Sequence, residues 1–435
     1  MANKITNTEH YAAIANAIRR KNGETDTYTP AEMADAIGRI PQGGGGASEN
    51  DVNFYDYDGS IVASYTAAQF AALEEMPENP DHTAEGLTAQ GWNWSLANAK
   101  AYVAKYGKLN IGQMYVPTDG KTHVYINIPE DDPSYETTLY FGHTAASGQT
   151  VIDWGDGSPT ETASGSSAAE HSHTYANPGK YEVTLDTMTG IMDIRSSGNT
   201  RTDAHFSGRG NISRHVTSIE RIHLSNNVTI GAYAFNYCMY LKNITIPNDV
   251  TSIGEYAFYY CVLLQTITIP SNVATIQMGV FQYCENLTSV SIPNGVTNIG
   301  PYAFQYCYQL KAVTIPHSVV SLDTSAFAAA HSLQSLVIAD SATNIGLTAF
   351  NACYCLRDVI VPNSVMDIGS YAFNNCYSIV CFHFKSEVPP TLSNTNAFNN
   401  LPTDTVFYVP AASLEAYKTA NNWSTYASRM VAEPE

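Results

Sequence analysis

Basic residues are scarce in this 435-residue chain, where 21 Lys and Arg stand against 40 Asp and Glu for a formal charge of −19. A nucleic-acid backbone or an anionic membrane needs clustered cations, so neither is the expected partner. Charge of either sign is thin at 14% of residues. No stretch approaches the roughly 20 apolar residues that span a bilayer, so no membrane insertion is expected. The start, MANKITNTEHYAAIANAIRR, lacks the apolar core of a signal peptide, which points to synthesis in the cytoplasm without export. Also missing are a G-x-S-x-G elbow, an H-E-x-x-H pair and a Walker loop; the run Gly43 to Gly46 is followed by neither Lys-Ser nor Lys-Thr. No enzyme activity and no cofactor are expected. Cys353 and Cys355 have no second pair or His cluster beside them, and Asp56-x-Asp58-Gly59 lacks the remaining ligands of a calcium loop, so no metal is expected.

What the chain has instead is one phrase written again and again between about Gly231 and Cys381. Ile-Pro falls at Ile246-Pro247, Ile269-Pro270, Ile292-Pro293 and Ile315-Pro316, a step of 23 residues. Phenylalanine keeps that step at Phe235, Phe258, Phe281, Phe304, Phe327, Phe350 and Phe373, and so does cysteine at Cys238, Cys261, Cys284, Cys307, Cys353 and Cys376. Leucine and isoleucine follow L-x-x-L-x-L spacing, as in Leu241, Ile244 and Ile246. A period of this length marks a solenoid whose coils bury their apolar faces only by stacking on one another. Cysteines at equivalent places on successive coils lack the converging geometry of a disulfide and read as buried free thiols. Only ten charged residues fall between Gly231 and Val380. Tyr, Asn, Gln, Ser and Thr must therefore keep the rod soluble, a surface suited to sugars or proteins.

The phrase I-P-x-x-V-x-x-I-G-x-x-A-F-x-x-C-x-x-L resembles the BspA-like leucine-rich repeats of bacterial surface and phage proteins. The resemblance implies a solenoid over residues 222–384, closed by a C-terminal cap over 385–435 in which Leu414, Tyr417 and Trp423 cover the open end of the core.

Ahead of the repeats, residues 1–41 read as two short helices, with Tyr11, Ile14 and Ile18 on one and Met33 and Ile37 on the other. This segment resembles the N-terminal part of phage and prophage tail proteins from Gram-positive gut bacteria, which makes those five residues candidates for attachment to a virion. Residues 42–50 form a Gly-rich linker. Residues 51–115 read as an α+β domain, with a hairpin turning at Asp58-Gly59, helices at Thr66 to Leu73 and Ser95 to Tyr106, and the phrase Gly91-Trp92-Asn93-Trp94. Over residues 116–188 alternation takes over, with His123, Tyr125 and Ile128 in one strand, Val151 and Trp154 in another, and then Tyr181, Val183 and Leu185. There the words VIDWGDGSP, EHSHTY and NPGKYEVTL resemble the polycystic-kidney-disease (PKD) type domain, an immunoglobulin-like β-sandwich that serves as a spacer or binding module. His171, His173, Asp153 and Asp156 could be read as a metal or acid/base cluster, whereas the resemblance makes Asp156 a turn residue and His173 with Tyr175 part of the structural motif. Residues 189–221 are polar and read as an irregular connector. The whole is a multidomain, mainly β chain.

Since packing fixes the inward letters of each coil, information sits in the letters that vary. Tyr237, Tyr260, Tyr283 and Tyr306 fall one coil apart, beside Tyr259, Gln282, Gln305 and Tyr308. Aromatic faces with amides between them suit a sugar ring or a protein loop, and these eight are the candidate receptor-binding residues; a stripe that merely shields the coil edge is the plainer alternative. A second ladder, Thr245, Thr268, Ser291 and Thr314, turns apolar at Val337 and Ile360, as if the tail or another subunit covered the later coils. The expected function is a phage tail or baseplate receptor-binding protein, a homo-oligomer with a trimer favoured, whose partners are tail proteins and a host-surface glycan or protein. A bacterial cell-surface adhesin or a structural spacer is the alternative.

Overall fold

A computed structural model describes residues 51–130, 136–194 and 218–434. The attachment candidates Tyr11, Ile14, Ile18, Met33 and Ile37, and the Gly-rich linker, lie outside the described residues.

The first described module is a sheet carrying two helices. Val52–Tyr55 (β1) and Ile61–Tyr65 (β2) make the expected hairpin, with Gly59 in the left-handed region at φ +85°. Thr66 and Gln69 cap one another and start Ala67–Ala71 (α1), and Ser95 caps Leu96–Tyr106 (α2). Leu87–Trp92 (β3) and Leu109–Pro117 (β4) complete a sheet of order β2-β1-β4-β3. Trp92 meets Phe54 with ring centroids 4.9 Å apart, and Phe70 and Tyr102 join their core. Strand β4 is buried at all but one of its positions, which breaks the alternation of a half-exposed strand. The cause is cover on both sides: Leu109 and Ile111 join the module's core, while Gly112 lies against Thr268 of the repeats.

Ten strands follow: Thr122–Ile128 (β5), Glu136–His143 (β6), Gln149–Asp153 (β7), Glu161–Ser164 (β8), Ala169–Thr174 (β9), Gly179–Thr189 (β10), Met192–Ile194 (β11), Ser218–His223 (β12), Val228–Ile230 (β13) and Asn243–Thr245 (β14). They form two sheets, of order β14-β12-β5-β10-β7-β8 and β13-β11-β6-β9. Both contribute to one core around Trp154, Phe141 and Leu185. The connector over 189–221 is not irregular at its ends. Strand β11 pairs with β6 and β13, and β12 pairs with β5 and β14. Met192 and Ile194, and Ile219 and Ile222, supply apolar positions too few to stand out from polar neighbours. Through β12 and β14 the sheet runs without a break into the first coil, and the hydrophobic core continues with it.

Within the repeats each coil lends a short strand to one face and a two-residue strand to another. Both pair in parallel with the residues one period on, as Ala312–Ile315 with Ser335–Ile338 and Asn298–Ile299 with Ser321–Leu322. The seven repeat phenylalanines are fully buried and stack with centroids 5.1 to 5.4 Å apart. Each repeat thiol from Cys261 onward donates to the phenylalanine carbonyl of the preceding coil, at 3.2 to 3.5 Å. All eight cysteines are free, and Cys381 alone among them is not buried. Beyond the last coil, Leu414–Thr419 (α3), Tyr417 and Trp423 close the core, with Trp423 5.0 Å from Phe384. Among the described residues no helix is long and apolar enough to cross a membrane.

Candidate functional site

The turn after each repeat phenylalanine places Tyr237, Tyr260, Tyr283 and Tyr306 in the left-handed region, at φ 59 to 63°. Ala329, Ala352 and Asn375 hold the same place and the same φ in later coils, at 60 or 61°. A bulky side chain there costs on the order of 1 kcal/mol. Each tyrosine recovers this by stacking on the next, with centroids 5.1, 4.7 and 4.4 Å apart along the series. Tyr259 sets its edge against Tyr237 and Tyr283 at 5.5 and 5.6 Å, and the Gln282 amide donates to Gln305 at 2.5 Å. All eight candidates, Tyr237, Tyr259, Tyr260, Gln282, Tyr283, Gln305, Tyr306 and Tyr308, therefore lie together on one side of the rod, half-buried with their outer edges in solvent. Stacking on one another and presenting a surface are both true of them.

The ladder does not end at Tyr306. It crosses to the column after the cysteine, where Tyr308 stands 6.0 Å from Tyr306. From there Tyr308, His331, Tyr354 and Tyr377 stack at 4.7, 4.4 and 5.4 Å. His331, Tyr354 and Tyr377 escaped the sequence reading, although the same 23-residue step from Tyr308 marks them. Glu285 precedes Tyr308 in this column, and burial raises its carboxyl. Burial also raises the phenols of Tyr260, Tyr283 and Tyr308, so they stay protonated donors at neutral pH. Glu255, in the coil before, is exposed in a different part of its turn, where its main-chain carbonyl accepts from the Tyr233 amide.

The opposite, strand-bearing face is occupied. Ser291 donates to the Asn110 carbonyl at 2.9 Å, and Thr266 to that of Tyr57 at 3.2 Å. In return Asn93 donates to the carbonyls of Ile269 and Ser291 at 3.2 Å, Trp94 to Ile292 at 3.1 Å and Tyr102 to Ile315 at 2.9 Å. Lys105 and Tyr106 both engage the Asp340 carboxylate. Thus the first module, not the tail, covers the ladder as far as Val337, which packs against its core. Ile360, one coil further, is 54% exposed.

The histidines of the two-sheet module have separate partners: His171 meets Glu161 at 2.6 Å, and His173 meets Asp156 at 2.8 Å while stacking on Trp154. Hydrogen bonds, from Ser158 first and then His173, hold the Asp156 carboxyl down at about 2. Among the described residues no three His, Cys, Asp or Glu side chains stand close enough to hold a metal ion.

The BspA type leucine rich repeat region matches in six copies, over residues 213–334 and 274–405. The rod is therefore built of BspA-type leucine-rich repeats. None of the curated proteins is similar in sequence to this chain. Among solved structures, a leucine-rich repeat protein from Bacteroides ovatus is 23% identical over 47% of this chain and 63% of its own, with a TM-score of 0.34. The T. pallidum leucine rich repeat protein is 22% identical over 44% of this chain and 72% of its own, with a TM-score of 0.28. A leucine rich cell surface protein from Faecalibacterium prausnitzii is 18% identical over 53% of this chain and 94% of its own, with a TM-score of 0.22.

Proposed function

We propose that this chain is an adhesin, a bacterial surface protein of the BspA-like kind, that binds a cell-surface glycan or protein through the aromatic ladder of its rod. One observation carries the reading. The first module occupies the strand face over the early coils, whereas the tyrosine ladder remains open along the other side. Stacked, protonated phenols with amides beside them offer ring edges and donors to a sugar, with Glu285 the one carboxyl in the same column. Single contacts would be weak, and several copies on one carrier would raise avidity. The module over 116–188, read as PKD-type, then acts as a spacer made rigid by the sheet it shares with the first coil.

A particle-borne form of the same role, as a phage tail or baseplate receptor-binding protein in trimeric copies, rests on the resemblance of residues 1–41 to tail proteins. In that form Tyr11, Ile14, Ile18, Met33 and Ile37 would attach the chain to the tail. Adsorption of the full chain to cell walls from a panel of Gram-positive gut bacteria, intact and glycan-stripped, tests the adhesin. Strain-selective adsorption that fails for Tyr260→Asn with Tyr283→Asn is expected. Asparagine is the residue the chain itself uses at this φ, in Asn375. Undiminished adsorption by a folded double variant would refute the ladder as the site.

A further inference from the structure

Where the sandwich sheet passes into the first coil, an in-register row crosses four strands: Asn243, Arg221, Tyr125 and Glu182. With Lys180, Glu220, Tyr181 and Lys242 this row lines an open groove of about 460 Å³. Its charges are unevenly matched. Glu220 pairs with Lys180 at 3.3 Å, and Glu182 with His123 at 2.7 Å. The Arg221 guanidinium carbon lies over the Tyr125 ring, 4.1 Å from its centroid, and neither Arg221 nor Lys242 has a carboxylate within ion-pair distance among the described residues. Among the described residues, then, two cations without a direct ion-pair partner line this groove beside Glu182 and Glu220 in a chain of net charge −19, with Arg221 also acting at longer range on Glu85.

We propose that this groove binds a monoanionic group of a saccharide chain, the carboxylate of a uronic acid or a sugar-linked phosphodiester. The Arg221 guanidinium offers planar, two-pronged donors suited to either anion, with Lys242 at its side. Glu182 and Glu220 hold negative charge in the same groove, which disfavours a dianion such as a phosphate monoester. The Asn243 amide, which also reaches the Tyr57 carbonyl at 3.5 Å, and the Tyr125 phenol, kept protonated because burial and its hydrogen bond to Glu182 push it up to about 12, border the groove where the hydroxyls of the saccharide would lie. Because β5, β12 and β14 belong to one continuous sheet, the row is preorganised. The groove shares no residue with the tyrosine ladder, so the two sites stand or fall separately.

Isothermal titration of the full chain with tetragalacturonate, with a glycerol-phosphodiester oligomer and with neutral maltotetraose is the test. Binding of one of the anionic probes, with none of maltotetraose and with loss at high salt, is expected. Lys242→Gln should weaken that binding at least tenfold and Lys242→Arg should retain it. Lys180→Gln should weaken it too, by releasing Glu220 into the groove. Lys242 and Lys180 are exposed, so these variants fold, and an unchanged melting temperature checks it. Failure of both anionic probes to bind, equal binding of maltotetraose, or indifference to Lys242→Gln would each overturn the assignment.

Discussion

Gly112→Ala strikes the contact that decides which face of the rod is free. A Cβ at Gly112 would stand 2.2 Å from Oγ1, 2.8 Å from Cγ2 and 3.0 Å from Cβ of Thr268. Carbon atoms settle at about 3.5 to 4.0 Å, so the module and the rod must part by an ångström or Thr268 must turn away. Threonine is branched at Cβ, and no rotation removes both branches at once. Overpacking of this kind costs about 1 to 3 kcal/mol. Thr268→Ala removes the two closest atoms, so it should return most of that loss when combined with Gly112→Ala. The coupling in the double-mutant cycle is then about 1 to 2 kcal/mol. Urea unfolding of the four chains measures it, and amide exchange at Thr266 to Thr268 localises it. A Gly112→Ala variant neutral to within about 0.5 kcal/mol, and additive with Thr268→Ala, would mean that the module does not rest on the strand face.

Three further outcomes follow from the packing and the buried groups. Phe281→Ala removes a fully buried ring stacked between Phe258 and Phe304 and should destabilise the rod by about 3 to 5 kcal/mol; a cooperative unfolding transition close to that of the parent would refute the stack. Burial, aided by Arg221 and His123, draws the His223 imidazole from 6.5 down to about 3. The unfolded chain then binds a proton that the folded chain refuses, so stability drains away as pH falls from 6.5 toward 3, by up to about 1.4 kcal/mol per pH unit. Urea midpoints at pH 7, 5.5 and 4.5 should fall less steeply in His223→Gln, and parallel profiles would contradict the burial. In thiol titration of the native chain Cys381 alone should react, and slowly, because burial and Asp358 push its thiol up to about 12. All eight cysteines should react after unfolding, and several fast native equivalents would exclude the thiol ladder.

Much of the rod could be read directly from the chain. The period placed Phe235 to Phe373 and the cysteines beside them, because every coil meets the same packing problem and answers it with the same letter. Capping at Ser95 was equally local, set by residues within one turn. The docking of the first module on the strand face was hidden for a physical reason. Asn93, Trp94 and Tyr102 donate to main-chain carbonyls of Ile269, Ser291, Ile292 and Ile315, and a carbonyl leaves no mark in sequence. Gly112 is marked only by lacking a side chain. Strand β11 is three residues long, too short for alternation to declare itself. Of the candidate site, the four tyrosines and Tyr308 were legible as a stripe. Their shift of column was not, because Tyr308 begins a new series in the coil where Tyr306 ends the old one.

The aromatic ladder is the proposed binding face. Hydrogen–deuterium exchange of the full chain, with and without solubilised wall fragments from a strain that adsorbs it, tests this most directly. New protection should appear in the turns around Tyr260, Tyr283, Tyr306 and Tyr308, with the strands Asp358–Val361 and Cys381–Phe384 unchanged. Protection confined to those strands, with the tyrosine turns exchanging as in the free chain, would contradict the account.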